Sequence, residues 1–283
     1  ASGAPALEIT LLGPRLRFDA DAVIALTGAE FTARIDGLDM RSWRPQRIAA
    51  GAVLDIGAAR RGARGYLAVA GGFMADPVLG SMSTDVNARI GPFGGRALKA
   101  GDTLMLSAGA ATPRASSSPQ NTPMPAWSLD PRPWFDPDPS HPIRLIRGAH
   151  FDMLDAPSRD ALFGAGFRVA VDSNRVGFRF DGPRLALAAA LEPVSEPVAS
   201  GTLQLPPDGQ AIALMAEHPT IGGYPRIGQI AAIDLPRLAQ RRPGESVCFG
   251  EIGLDEAQTR YLARERELAR LFDTIATRLA GHD

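Results

Sequence analysis

Two stretches of this chain alternate apolar and polar residues with a strict period of two. "EFTARIDG" sets Phe31, Ala33 and Ile35 on one side. "FRVAVDSNRVGFRF" repeats the pattern with Phe167, Val169 and Val171, then Val176, Phe178 and Phe180. Successive side chains of a strand point to opposite faces, so this spacing predicts strands with one face on a core and the other toward solvent or a ligand. "GYLAVAGG" and "AIALMAEH" are more continuously apolar, as expected of strands covered on both sides. Thirty glycines and 24 prolines cut the apolar runs into short pieces, the texture of a β-rich protein. Only "LDEAQTRYLARERELARLFDTIATRLA" reads as a helix, with Ala257, Tyr261, Leu268, Phe272, Ile275 and Leu279 at helical spacing. Asp255 or a neighbour can cap it, and its "RERE" middle reads as a solvated face.

The segment from Ala111 to Pro142 is rich in Pro, Ser and Asp and has no period, so it reads as a linker or an arm laid over a surface. Its Ser-rich part, Arg114 to Thr122, is expected to be open to proteolysis, whereas Trp127, Trp134 and Phe135 are expected to tack the rest down. The halves on either side share an order of parts. Each has a strand–Gly–strand entry, an apolar strand ending in a glycine pair, then a basic turn and a final strand. Duplication is the simplest account, giving two β-barrel-like lobes over residues 1–110 and 143–252, the linker over 111–142 and the helix over 253–283. Ligand sites favour such interfaces.

Thirty Lys and Arg against 31 Asp and Glu leave a net charge of −1, which argues against nonspecific nucleic-acid binding and against a polybasic membrane surface. No run approaches the roughly 18 apolar residues of a membrane span, and the N-terminus lacks signal-peptide character. A soluble cytoplasmic protein is therefore expected. The single cysteine, Cys248, excludes an internal disulfide and a cysteine-based zinc cage. In "ESVCFG" it is expected to be a small core residue rather than a nucleophile.

Four stretches could carry chemistry. "EHPTIGGYPRIG" stops an apolar strand at Glu217, His218, Thr220 and Tyr224 around Gly222 and Gly223. Adjacent glycines allow positive φ and close approach of a ligand, although such a pair also serves as an ordinary turn. "DSNRVGFRFDG" puts Ser173, Arg175, Gly177 and Arg179 on one strand face. The two guanidiniums are either a fork suited to carboxylate or phosphate, or part of a solvated face. "SEPVASGTLQLPPDG" places Glu196 before a Gly turn and Gln204 before a Pro-Pro corner. Glutamine offers both a donor and an acceptor and so suits an amide substrate. "GSMSTDVNARIGPFGGRALKAGD" carries Ser81, Ser83 and Thr84 among glycines, a polar loop of anion-nest composition without a P-loop pattern. The four histidines, at 141, 150, 218 and 282, show no metal-ligand spacing, and no nucleophile elbow is present.

Taken in order, "LEITLLGP", "GYLAVAGGF", "LGSMSTD", "GGRALKAGD", "SNRVGFRFDG", "SEPVASGTLQLPPDGQAIAL", "EHPTIGGYPRIG" and "DLPRLAQRRPGE" resemble the KipA-type family over nearly the whole chain. That family is also known as allophanate hydrolase subunit 2, the biotin-dependent carboxyltransferase subunit, or the C subunit of 5-oxoprolinase. The resemblance implies a mainly β fold of two cyclophilin-like β-barrel lobes with a C-terminal helix. It implies a KipI-type partner (the B subunit of 5-oxoprolinase), a LamB-type third subunit, and ATP-dependent opening of 5-oxoproline to glutamate, with Mg accompanying the ATP. Related carboxyltransferase domains move carboxylate from carboxybiotin to urea, and a non-catalytic regulator that binds a KipI-type partner is the third reading. Prolyl isomerase activity does not follow, because fold analogy alone carries no function.

Residue by residue, the resemblance makes Arg175, Glu196 and Gln204 the catalytic candidates. Arg179, Thr220, Gly222, Gly223, Tyr224, Ser81, Ser83 and Thr84 are the substrate-binding candidates, and no metal ligand is implied. Arg175 and Arg179 would hold anionic oxygens, Glu196 and Gln204 would orient the amide, and the glycine bend would shape the pocket floor. Family members also carry roughly fifty Gly- and Asp-rich residues ahead of the "LEIT" element, which these 283 residues do not include. Part of a site or partner surface is expected there. Glu217 stands where Asp is usual, and Ile221 where Thr is common.

Overall fold

The computed structural model describes residues 3–107, 127–132, 140–191 and 194–280. The chain divides into two compact units, Ala1–Pro131 with Ala276–Asp283, and Arg132–Ile275. The fold is mainly β with a long C-terminal helix. Arg114 to Thr122, Trp134 and Phe135 lie outside the described residues. Leu129 N–H donates to the Trp43 carbonyl oxygen at 2.9 Å, so the stretch after Trp127 is tied to the first unit.

The first unit is a six-stranded sheet, β1 (Leu7–Thr10), β2 (Arg15–Arg17), β3 (Ala22–Ile35), β4 (Leu38–Asp39), β5 (Gln46–Ile48) and β6 (Val53–Val69). Its order is β1-β6-β3-β4, with β2 also on β6 and β5 also on β3. The long strand β3 changes phase midway. Ala22, Ile24 and Leu26 point inward before Gly28, and Ala29, Phe31 and Ala33 point inward after it. The shift is a β-bulge in the pairing with β6, and Gly28 adopts φ 88° there against the Arg64 backbone. The register with β6 slips three times between Gly28 and Ala33, and the resulting change of phase keeps both halves of the strand on the same core. "GYLAVA", expected to be covered on both sides, is covered on one: Leu67 and Val69 are buried, while Tyr66, Ala68 and Ala70 open outward. After β6 comes a long loop containing the single-turn segment α1 (Pro92–Gly95).

The second unit is a closed barrel of β7 (Ile143–Arg147), β8 (Gly166–Val169), β9 (Gly177–Asp181), β11 (Thr202–Gln204), β12 (Ile212–Leu214), β14 (Arg226–Ile230) and β15 (Ser246–Glu251). The ring runs β11-β12-β9-β8-β15-β7-β14, and closure leaves no free edge. The expected alternation holds: Phe167, Val169, Phe178 and Phe180 are all buried. Phe180 meets Phe249 edge-on with ring centroids 5.3 Å apart, and Phe167 sits 5.5 Å from Phe249. Two residues depart from expectation. Val171 is 87% exposed because the strand has already ended in a turn. Cys248 is exposed rather than in the core, because on β15 Val247 and Phe249 take the inward positions.

A two-residue ribbon, β10 (Glu196–Pro197) with β13 (Ile221–Gly222), stands apart from the barrel ladder. Helix α2 (Ala156–Gly164) starts at Asp155, whose side chain accepts the Ser158 N–H at 2.8 Å. The short helix α3 (Leu235–Ala239) brings Asp234 and Arg237 against Arg144 of β7. Helix α4 (Leu254–Ala280) carries Asp255 and Glu256 in its first turn, where they complement the helix dipole. Among the described residues no helix is long and apolar enough to cross a membrane.

Candidate functional site

Strand β11 is buried at all three residues, and the site grows from its last one. Gln204 pairs with Ile212 of β12 on one side and Arg226 of β14 on the other. The ladder to β14 slips between Leu203 and Gln204, a bulge that re-aims the side chain at the end of the strand. Pro206 and Pro207 follow, and neither can donate a ladder hydrogen bond. Gln204 is 4% exposed, and its Nε2 has no acceptor among the described residues.

The ribbon packs against that amide. Glu196 pairs with Gly222, and Pro197 with Ile221. A β-carbon placed on Gly222 would fall on Gln204 Nε2 and within 3.2 Å of Val198 Cγ1. Gly222 therefore permits close approach without using a left-handed backbone. Gly223 does neither, since a β-carbon there would meet only Ser195 Oγ at an ordinary 3.4 Å. The expectation that the pair supplies positive φ is corrected: neither glycine has it.

Arg226 joins the cluster from β14. Its guanidinium Nη2 donates to Glu196 Oε2, and its Nε is buried without a partner among the described residues. The Arg226 N–H donates to His150 Nδ1 at 3.0 Å, and His150 N–H donates back to the Arg226 carbonyl at 3.0 Å. Because Nδ1 accepts, the neutral His150 ring carries its proton on Nε2. Neither residue was singled out from the sequence. The signal for Arg226 was a lone cation directly after the Pro225 corner of the glycine bend.

The other candidates are placed as follows. Arg175 lies in a bend before β9, and its Nε donates to Glu217 Oε1 at 2.5 Å while Glu217 N–H donates to the Arg175 carbonyl at 2.8 Å. Arg179 is on β9 and pairs with Asp172 at 3.2 Å. The two guanidiniums thus each hold a different carboxylate instead of forming one fork. Thr220 enters through its backbone, its carbonyl accepting the Val198 N–H at 3.1 Å, and Tyr224 is 45% exposed.

Ser81, Ser83 and Thr84 belong to the first unit. Ser81 Oγ accepts the Ser83 N–H at 3.2 Å, and Gly91, at φ 108°, lets its backbone lie against the Ser83 carbonyl. Further along the same loop Arg96 donates to both Asp102 oxygens, at 2.7 and 2.8 Å. That side-chain pairing, with the Lys99 N–H, pushes the Asp102 carboxyl down to about 2. Among the described residues no group of three or more His, Cys, Asp and Glu is disposed to hold a metal ion.

The closed barrel thus ends β11 on a carboxamide that lies against the Glu196–Gly222 ribbon. The sequence family described as carboxyltransferase domain, subdomain A and B, matches residues 1–251, and the chain belongs to it. It is 36% identical to the C subunit of the 5-oxoprolinase of Escherichia coli, over 98% of this chain and 84% of that protein. The C subunit of the Haemophilus influenzae 5-oxoprolinase is 33% identical over 95% of this chain and 81% of its own length. Among solved structures, the urea carboxylase of Kluyveromyces lactis superposes with a TM-score of 0.77 at 26% identity. That match covers 93% of this chain but only 24% of the yeast protein.

Proposed function

We propose that this chain is a subunit of an ATP-dependent 5-oxoprolinase complex that opens the lactam of 5-oxoproline to glutamate. The observation that carries the reading is the 36% identity to the C subunit of Escherichia coli 5-oxoprolinase across 98% of this chain. The Gln204–Glu196–Gly222 cluster supports it, because a carboxamide and a carboxylate beside an open backbone suit a small amide.

Resonance makes a lactam carbonyl a poor electrophile, and ATP, with Mg on its phosphates, would supply the phosphoryl group that activates it. The residues of this chain would bind and orient the ring, with the Glu196 carboxylate positioned to accept a hydrogen bond from it. A KipI-type subunit and a LamB-type subunit are the proposed partners. The purified chain should show almost no turnover, and ATP cleavage should become lactam-dependent once the KipI-type partner is co-expressed. Robust turnover by the single chain would overturn the reading.

A second reading, carboxyl transfer from carboxybiotin to urea, is favoured by the TM-score of 0.77 to the yeast urea carboxylase. Urea-dependent consumption of carboxybiotin by the same assembly, without any response to 5-oxoproline, would select it.

A further inference from the structure

Helix α4 turns one apolar side to its barrel and a second to solvent. Ala257 packs with Ala231 and Ile252, and Arg264 Nη1 donates to the Ile233 carbonyl oxygen at 3.0 Å. Leu268, Leu271 and Ile275 continue that first side and are half-buried. Leu254, Tyr261, Phe272 and Leu279 are each between 43% and 63% exposed. At about 100° per residue these four fall within roughly 20° of one line along the helix, next to the packed side. Leu262, also exposed, flanks them, and the rest of that arc holds Gln258, Ala269, Ala276 and a single charge, Glu265. A row of large apolar side chains about 37 Å long, left in water, marks a contact surface.

The intervals along the row are seven, eleven and seven residues, the same read from either end. Such a row is complementary to itself run backwards. About a twofold axis between Arg266 and Glu267, Leu254 meets Leu279 of the second copy and Tyr261 meets Phe272, an aromatic pair. This symmetry brings the same flank of each helix together. Glu265 then lies beside Arg266 of the second copy, twice over, and Leu262 packs over Ala269. A parallel pairing would instead set Glu265 against Glu265, like charge on like.

We infer that α4 is a self-association surface, through which two copies of this chain pair as antiparallel helices about that axis. The small side chains of Ala269 and Ala276 let the helices approach to about 8–10 Å. A seam of this length suits a standard interface of about 800 Å² per partner. The inference does not rest on the lactam reading. It adds that an assembly built on this chain carries two copies of it.

Sedimentation velocity of the full chain tests this, and the chain should be a dimer at about 100 µM. Phe272→Glu removes an exposed ring and keeps a good helix former. It should raise the dimer dissociation constant about tenfold or more, with an unchanged circular-dichroism melt. Glu265→Arg and Arg266→Glu should each raise it about threefold or more, and the double reversal should return it to within about twofold. In a Cys248→Ser background, Leu254→Cys and Leu279→Cys chains should form a mixed disulfide when oxidised together, and neither should crosslink with itself.

A monomer at every concentration would overturn the inference, as would a dimer indifferent to Phe272→Glu or a double reversal that restores nothing. Self-crosslinking of Leu254→Cys, or no mixed disulfide, would do the same. A chain that is monomeric alone and hides Tyr261 and Phe272 only when a KipI-type subunit is added would assign this surface to that partner, and the inference would fail.

Discussion

Arg175 and Glu217 hold one another twice, through an ion pair from Nε to Oε1 and through the Glu217 N–H on the Arg175 carbonyl. Their side chains are 34% and 11% exposed, so the glutamate is largely removed from water. Arg175→Ala should therefore lower stability by about 1 kcal/mol, between the values for an exposed pair and for a buried charged hydrogen bond. Arg179→Ala should have almost no effect, because both it and Asp172 are near half exposed or more. A double-mutant cycle on thermal melts checks this. Coupling in the 179–172 pair equal to that in the 175–217 pair would contradict it.

Gly222 and Gly223 should respond differently to a methyl group. In Gly222→Ala the new carbon lands on the Gln204 amide, and overpacking of this kind costs about 1–3 kcal/mol. Expressed in the barrier, that is about tenfold or more in lactam-dependent turnover of the assembled complex. Gly223→Ala should stay within about twofold, since its methyl makes only an ordinary contact with Ser195. Steady-state rates beside circular-dichroism melts separate loss of site from loss of fold.

Asp234 is fully buried and accepts from Arg144 through Nε, Nη2 and the backbone N–H, and from Arg237 through Nη1. Burial pushes its carboxyl up, and these hydrogen bonds and charges outweigh burial and hold it below the ordinary range. Asp234→Ala strands two cations against the barrel and should cost about 3–5 kcal/mol. Urea denaturation measures it, and a loss below about 1 kcal/mol would show the network to be no stronger than a surface pair.

The Arg96–Asp102 clasp makes the first unit sensitive to acid. The Asp102 carboxyl is lowered from 3.8 to about 2 by the Arg96 hydrogen bonds first and the Lys99 N–H second. Between those values the unfolded chain binds the proton and the folded chain does not, so stability rises with pH there. The contribution is complete above about pH 4 and is lost as pH falls through about 2. Asp102→Asn should flatten that part of the profile, read as Tm between about pH 5 and pH 2. An unchanged slope would remove Asp102 from the cause.

Much of the architecture follows from spacing within a few residues. Period two placed Phe31, Ala33, Phe167, Phe178 and Phe180 inward, and helical spacing placed α4, because backbone geometry alone dictates where neighbouring side chains point. The ordered motifs carried family membership, and they offered Glu196, Gln204 and Gly222 as candidate site residues.

What the local pattern could not carry was the partner of each group, which depends on registers between distant strands. Only the closed barrel sets Gln204 opposite Arg226, and only the ribbon sets Glu196 opposite Gly222. The same dependence gave Arg175 to Glu217, separated the two guanidiniums, and made Gly222 rather than Gly223 the crowded glycine. Val171 and Cys248 departed from expectation, because where a strand stops and which phase faces the core were decided by the sheet. Periodicity is a property of one strand, whereas a site is made where several strands meet, so the sequence determined the elements and the tertiary structure decided the chemistry between them.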